Sequence, residues 1–486
     1  MKKIKKLLAM IMAMTMVLGM AMTVSAAPQE DGEAYINIYD DQAQEHLSSG
    51  SFRYLQIINA DPTTRTGWAF TNGAEQFVRV FLGDSAENTP DNQQTVIDML
   101  IDHAAGYEDY TSQFSKALSA VAVLSHSTMS NPQTVTSAGI YSIRGTEEGY
   151  IYNNMAAFVS FGKVEDANYP TLTDAVLVAK KTPTSVDKEL ETDDGNNVVA
   201  IGDIITYTIE TWVPYIDPAA TNKEFYIYDN IDGADYYLEG EGAHKSVILG
   251  VDEDITNNVV FDISGDEGYG LYIDLSDLID DANSNAGKKI VVTYTAKVTE
   301  VDVNNTAGSN AGDSEFDSDT VDVYTGQIVL TKYNEDKTKT LAGAGFEVRK
   351  DNEGDALKFS EVTTGVDGNY VYDPVAGTIT EVKTGSDGTL TIAGLDLGHY
   401  TFKEVTAPKG YHIANSPNGI DAEATLSAEG TVTETVKETT SLTNTKLSSL
   451  PSTGGIGTTI FTIGGCAIMI AAAALYFVNR RKSEEN

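Results

Sequence analysis

The sequence predicts a mainly β protein: tandem β-sandwich modules behind a mixed α+β N-terminal block, with an export signal at one end and a membrane helix at the other. Three observations predict this. Alternating apolar and polar runs, punctuated by Gly, Asn and Asp clusters, fill the chain from about residue 185 to 446. The first residues read as a secretory signal, with basic MKKIKK, apolar LLAMIMAMTMVLGMAM and small Val24-Ser25-Ala26, so cleavage is expected after Ala26. Near the other end, Ile456 to Val478 runs 23 residues without a charge. That length crosses a hydrocarbon core of ~30 Å at ~1.5 Å per residue. Arg480, Arg481 and Lys482 follow and hold that end in the cytoplasm.

At 486 residues the chain has room for about three domains. Its formal net charge is -39, and the signal and tail are basic, so the exported part is more acidic still. Such a surface repels phosphate backbones and anionic lipid, which argues against nucleic-acid binding. The single cysteine, Cys466, falls inside the apolar C-terminal run. The exported blocks therefore contain no disulfide, although extracellular chains commonly use them as a brace. Six histidines are scattered without metal-ligand spacing, and ETDDGNN and DSEFDSD do not match a calcium loop. No cofactor, metal or catalytic set for a soluble substrate is expected.

Taken in order, residues 28–178 mix strand and helix. Val96 and Leu100, then Phe114, Leu118, Val121 and Leu124, fall on helical stripes, and YIYNNMAAFVSF reads as strand. Residues 179–184 form a junction with two lysines. In residues 185–325, Ile205, Tyr207 and Ile209 alternate along IITYTIETWVP, as do Ile290, Val292, Tyr294 and Val298 later. Residues 326–447 repeat the style, with turns at Val366-Asp367-Gly368-Asn369 and Gly385-Ser386-Asp387-Gly388. LPSTG occupies 450–454, the apolar span 456–478 and a basic tail 479–486.

The third block carries charge on its apolar faces. Alternation puts Lys332 beside Ile328 and Leu330 in QIVLTKYN, Glu404 beside Tyr400 and Phe402 in YTFKEVTAP, and Asn444 beside Leu442 in SLTNTK. A buried, unpaired charge is costly, so such groups neutralise or react. Desolvation favours the uncharged lysine amine, which is a nucleophile. A carboxyl at Glu404 would polarise the Asn444 carbonyl and shuttle protons while ammonia departs. The product is an amide joining Lys332 to Asn444, across the first and last strands of the block. The plainer alternative is a lysine snorkelling from a strand end and an Asn in a turn.

The words around these residues carry a resemblance. LTKYNED with LAGAGFEV, then YTFKEVTAPKGY, then LTNTK resemble the collagen-adhesin (Cna) B-type domains, Ig-like sandwiches that form intramolecular isopeptide bonds. The likeness covers essentially all of 326–446. The second block resembles the middle isopeptide domain of sortase-assembled backbone pilins of Gram-positive bacteria, through TPTSVDKEL, AIGDIITYTIETWVP, FYIYDNI and IVVTYTAKVTE. The resemblance implies Lys188 as the amine and Asp229 as the catalytic acid. Register against the family implies Asn310 as the acceptor; alternation along VDVNN offers Asn305, beside Val301 and Val303, as the alternative.

LPSTG followed at once by a span and a basic stop resembles the cell-wall sorting signal of Gram-positive surface proteins. In that likeness Leu450, Pro451, Ser452, Thr453 and Gly454 form the motif, and a sortase cleaves between Thr453 and Gly454. Polymerisation needs an amine on the next subunit. Lining up K-x-T-P puts Lys180 where backbone pilins carry that lysine, with Lys181 as the alternative; Val178 and Ala179 replace the usual tyrosine and proline. The implied protein is a shaft subunit of a covalent pilus, a substrate rather than an enzyme. Its partners would be a pilin-polymerising and a housekeeping sortase, further copies of itself, accessory pilins, the peptidoglycan precursor and host surface ligands. A non-polymerising wall-anchored adhesin, or a minor pilin at base or tip, is the alternative.

Overall fold

The computed structural model describes residues 32–40, 46–83, 85–161, 172–191, 195–218, 220–281, 283–351, 354–362, 367–413, 421–448 and 457–482. Ala26 and the motif Leu450, Pro451, Ser452, Thr453 and Gly454 lie outside the described residues. The chain is mostly strand and divides into two compact units. One holds residues 1–326 with 394–397 and 427–436; the other holds 327–393, 398–426 and 437–486.

In the first unit, a sheet of Trp68–Phe70, Ser51–Ala60, Gly139–Thr146, Met155–Phe161 and Leu172–Thr173 packs with three helices. Helix Pro90–Ala104 starts where the sequence can start one: Thr89 accepts from the Asn92 amide, and Pro90 supplies a fixed φ where no donor is needed. Val96, Ile97 and Leu100 from it join Phe77, Phe81, Leu118 and Val121 in one core. The first described strand, Ala34–Asp40, buries Ala34, Ile36 and Ile38 and pairs in parallel with Ala175–Ala179. The segment expected as a junction is itself ordered. Lys181–Pro183 forms a short antiparallel pair with Tyr150–Tyr152, an edge position that tolerates Pro183.

The second block of this unit is two sheets. One runs Asp187–Glu191, Ile204–Trp212, Lys289–Val298, Lys245–Leu249 and Glu253–Asp254; the other runs Phe261–Asp262, Leu271–Asp274, Phe225–Asp232, Asp302–Ala311 and Ser314–Glu315. Strict period-2 burial along Ile204–Trp212 turns Ile205, Tyr207 and Ile209 inward.

The second unit is a smaller pair of sheets. A five-stranded sheet has the order Phe359–Glu361, Asn369–Tyr372, Thr389–Leu395, Gly326–Asn334, Val436–Asn444. The other has Val382–Lys383, Gly345–Lys350, Gly398–Thr406 and Ala422–Leu426. The first and last strands of the block are thus neighbours. Helix Gly457–Lys482 contains a span, Ile460–Arg481, long and apolar enough to cross a membrane, with mean hydropathy 2.1.

Candidate functional site

Lys332 is the last inward residue of strand Gly326–Asn334, whose burial alternates from Gly326 through Ile328 and Leu330. Its backbone is pinned twice: its amide donates to Gly388 O at 3.0 Å, and its carbonyl accepts from the Leu341 amide at 2.9 Å. Its side chain is fully buried, with Nζ 3.3 Å from Glu404 Oε1 and 5.7 Å from the centroid of the Phe346 ring. Asn444, 1% exposed, donates from Nδ2 to the same Oε1 at 2.8 Å. Glu404 reaches in from the facing sheet, on the strand that buries Tyr400 and Phe402. The apolar surroundings pull the Lys332 pKa down to about 8, against the opposing pull of the Glu404 carboxylate. One carboxylate oxygen therefore holds amine and carboxamide together, out of water.

The second block builds an analogous cluster across its two sheets. Lys188 projects from strand Asp187–Glu191 and lays Nζ 2.5 Å from Asp229 Oδ2 and 2.7 Å from the Tyr294 hydroxyl. The side chains of Lys188 and Asp229 are both fully buried. The amine stands 4.5 Å from the Tyr207 ring centroid and 5.1 Å from that of Tyr294, so it is walled by aromatic faces. Burial lowers the Lys188 pKa, with Asp229 opposing. The second Asp229 oxygen, Oδ1, accepts from the Tyr236 hydroxyl at 2.8 Å.

Of the two asparagines, the structure brings Asn305, and not Asn310, to this cluster. Asn305 is fully buried, and its Nδ2 donates to the Tyr294 hydroxyl at 2.9 Å, the same oxygen that receives Lys188. Asn310 lies on the other face of strand Asp302–Ala311 and donates to the Tyr226 hydroxyl. The reason is parity: an odd separation along a strand reverses the side chain's direction. Motif register could not register that reversal. Tyr294 was legible in sequence only as core; the signal was a phenol on an apolar face, which needs a polar partner when buried.

At the first block's edge the two junction lysines differ. Lys180 is exposed, and its carbonyl accepts from the Asn153 amide at 3.0 Å. Lys181 turns the other way, donating to Glu147 Oε2 at 2.8 Å and Ser49 Oγ at 3.3 Å, with Nζ 4.1 Å from the Tyr150 ring centroid. Among the described residues, no group of three or more His, Cys, Asp or Glu side chains is arranged to hold a metal.

Two segments of the chain match known families. Residues 326–441 match the SpaA prealbumin-like fold domain, and residues 443–485 match the LPXTG cell wall anchor motif. The chain is 24% identical over 442 residues to the "Trypsin-resistant surface T6 protein" of Streptococcus pyogenes, covering 70% of this chain and 78% of that one. It is 28% identical over 365 residues to "Fimbrial subunit type 1" of Actinomyces viscosus, covering 62% of this chain and 65% of the relative. The chain is homologous to Gram-positive fimbrial subunits. The solved T6 backbone pilin of Streptococcus pyogenes shares the fold of this pilin homologue, at TM-score 0.52 and 16% identity, over 87% of this chain and all of that one. The anchor match and the apolar helix fit a pilin homologue fixed to the cell wall at the surface, and the motif marks it as a sortase substrate.

Proposed function

We propose that this protein is the shaft subunit of a covalently polymerised surface pilus. A sortase cleaves between Thr453 and Gly454, holds the Thr453 acyl group, and transfers it to Lys180 of the next subunit. Repetition gives a fibre, and the last subunit passes to the peptidoglycan precursor. Two internal amides, Lys332–Asn444 and Lys188–Asn305, staple the sandwich modules, with Glu404 and Asp229 as the acids. Each forms once: the amine attacks the Asn Cγ, the C–N bond to Nδ2 breaks, and ammonia leaves.

The observation that carries this reading is the Lys332 amine and the Asn444 carboxamide on one buried carboxylate oxygen, in a chain ending in an LPXTG anchor. A chain loaded in tension gains from covalent ties that reduction cannot open. Solvent exposure of Lys180, beside a Lys181 already engaged by Glu147, supports Lys180 as the receiving amine. Accessory pilins and host ligands would join such a shaft from outside.

The test is a boiled SDS extract of the cell wall. The shaft reading expects a heat-resistant ladder that collapses to one species in Lys180→Ala cells and persists in Lys181→Ala cells. A single species from the unaltered protein would instead establish a non-polymerising wall-anchored adhesin, and a ladder that survives Lys180→Ala a minor or differently linked subunit.

A further inference from the structure

The two clusters solve one geometric problem differently. In the second unit, Glu404 Oε1 alone contacts both partners, Lys332 at 3.3 Å and Asn444 at 2.8 Å. Asp229 is one methylene shorter, and each of its oxygens is occupied: Oδ2 by Lys188 and Oδ1 by the Tyr236 hydroxyl. Asn305 instead hydrogen-bonds the Tyr294 hydroxyl at 2.9 Å, and that hydroxyl also takes Lys188 at 2.7 Å. The phenol oxygen therefore stands between attacking nitrogen and leaving nitrogen. Tyr294 is itself fully buried, on strand Lys289–Val298, stacked on Tyr207 at 5.7 Å between centroids, which holds its ring in place.

We propose that Tyr294 is a catalytic residue of the second block, its hydroxyl relaying a proton from the Lys188 amine to the departing Asn305 nitrogen. This rests on the reading that Lys188 and Asn305 form an amide. The protons balance as follows. Lys188 Nζ first gives one proton to Asp229 Oδ2 and becomes neutral. It attacks Asn305 Cγ, forming the new C–N bond and an oxyanion on the former carbonyl. Nζ then carries two hydrogens; it passes one to Tyr294 Oη while Tyr294 passes its own to Nδ2. The Cγ–Nδ2 bond breaks, the carbonyl re-forms and neutral ammonia leaves, with Tyr294 unchanged. Burial raises the Tyr294 pKa far above its ordinary value, so the residue enters the step as a phenol with a proton to hand on.

The experiment uses the full chain, digested and analysed by mass spectrometry for two linked peptides, one spanning Lys188 and Asn305 and one spanning Lys332 and Asn444. In Tyr294→Phe, the first linkage should form slower by roughly 100-fold or more, the scale of general acid–base assistance, while the second is unaffected and acts as internal control. Asp229→Glu added to Tyr294→Phe should recover the first linkage, because the longer carboxylate reaches both partners as Glu404 does. Formation in Tyr294→Phe at the unaltered rate overturns the relay. Absence of the first linkage from the unaltered chain, with the second present, overturns the underlying Lys188–Asn305 reading instead. Should Tyr294→Phe unfold the block, chain labelled throughout with 3-fluorotyrosine keeps the ring shape and makes the phenol more acidic. The relay then requires a changed rate at the first linkage only, and an unchanged rate overturns it.

Discussion

At the scale of single residues, the proposed reactivity of Lys332 rests on the cost of burying it. Its side chain is buried, and among the described residues its amine pairs with one carboxylate oxygen, Glu404 Oε1. Removing that partner would leave an uncompensated buried charge, a loss of about 3–5 kcal/mol in typical cases. The same burial predicts a pH dependence in a chain that cannot close the bond. In Asn444→Ala the amine stays, and burial that holds it at about 8 in the unaltered fold, against 10.5 for an ordinary lysine, should still act on it. Between those values the unfolded chain binds a proton that the folded one has released, so unfolding free energy rises as pH rises. Denaturant midpoints for Asn444→Ala should therefore increase from about pH 8 towards pH 10.5 relative to Lys332→Met/Asn444→Ala, measured in parallel. A flat difference between the two would remove desolvation as the source of reactivity.

At the scale of elements, the turn at Gly385-Ser386-Asp387-Gly388 does more than reverse the chain. Asp387 Oδ1 caps it by accepting from the Thr389 amide, and Gly388 O holds the Lys332 amide. Gly388 sits at φ +80, and a Cβ there would come within 2.6 Å of Thr340 Cβ and 2.7 Å of the Leu341 amide nitrogen. The left-handed backbone and the close approach both require glycine. Gly388→Val should cost on the order of 1–3 kcal/mol in a chemical-denaturation series. It should also slow closure of the Lys332–Asn444 amide, read as delayed loss of ~17 Da of ammonia from the chain. The Gly388 carbonyl thus ties a local glycine requirement to the position of the Lys332 backbone.

At the scale of the molecule, the proposed amides would take the place of disulfides in a chain whose only cysteine is Cys466. A cross-link closing a loop of about a hundred residues restricts the unfolded ensemble by ~4–5 kcal/mol in the entropy model used for disulfides. Mechanics gain more than equilibrium stability does. Lys332 lies near the C-terminal end of strand Gly326–Asn334 and Asn444 ends the neighbouring strand Val436–Asn444, the first and last strands of the block. With the amide closed, force bypasses everything between them. Single-molecule extension of Lys332→Ala should therefore release on the order of 370–400 Å of contour length, the span of about 110 extended residues, that the unaltered chain withholds. Equal extension in both would mean no tie exists.

The sequence by itself determined which residues face inward, because a strand's period of two converts position directly into side-chain direction. Lys332, Glu404 and Asn444 were readable as polar groups on apolar faces, Lys188 and Asp229 through the resemblance of their segments, and the modules that hold them follow from the same alternation and its turns. LPSTG with its span was readable because both are local. Only the tertiary structure shows that Asn305 and not Asn310 reaches the Lys188 cluster, since a likeness in motif register carries no information about which strand face meets Lys188. It alone decided that Lys181 folds onto Glu147 while Lys180 stays exposed, and that the Tyr294 hydroxyl joins the amine to the carboxamide. Those outcomes depend on pairings between segments far apart in the chain, and periodicity along one strand says nothing about what the facing sheet presents to it.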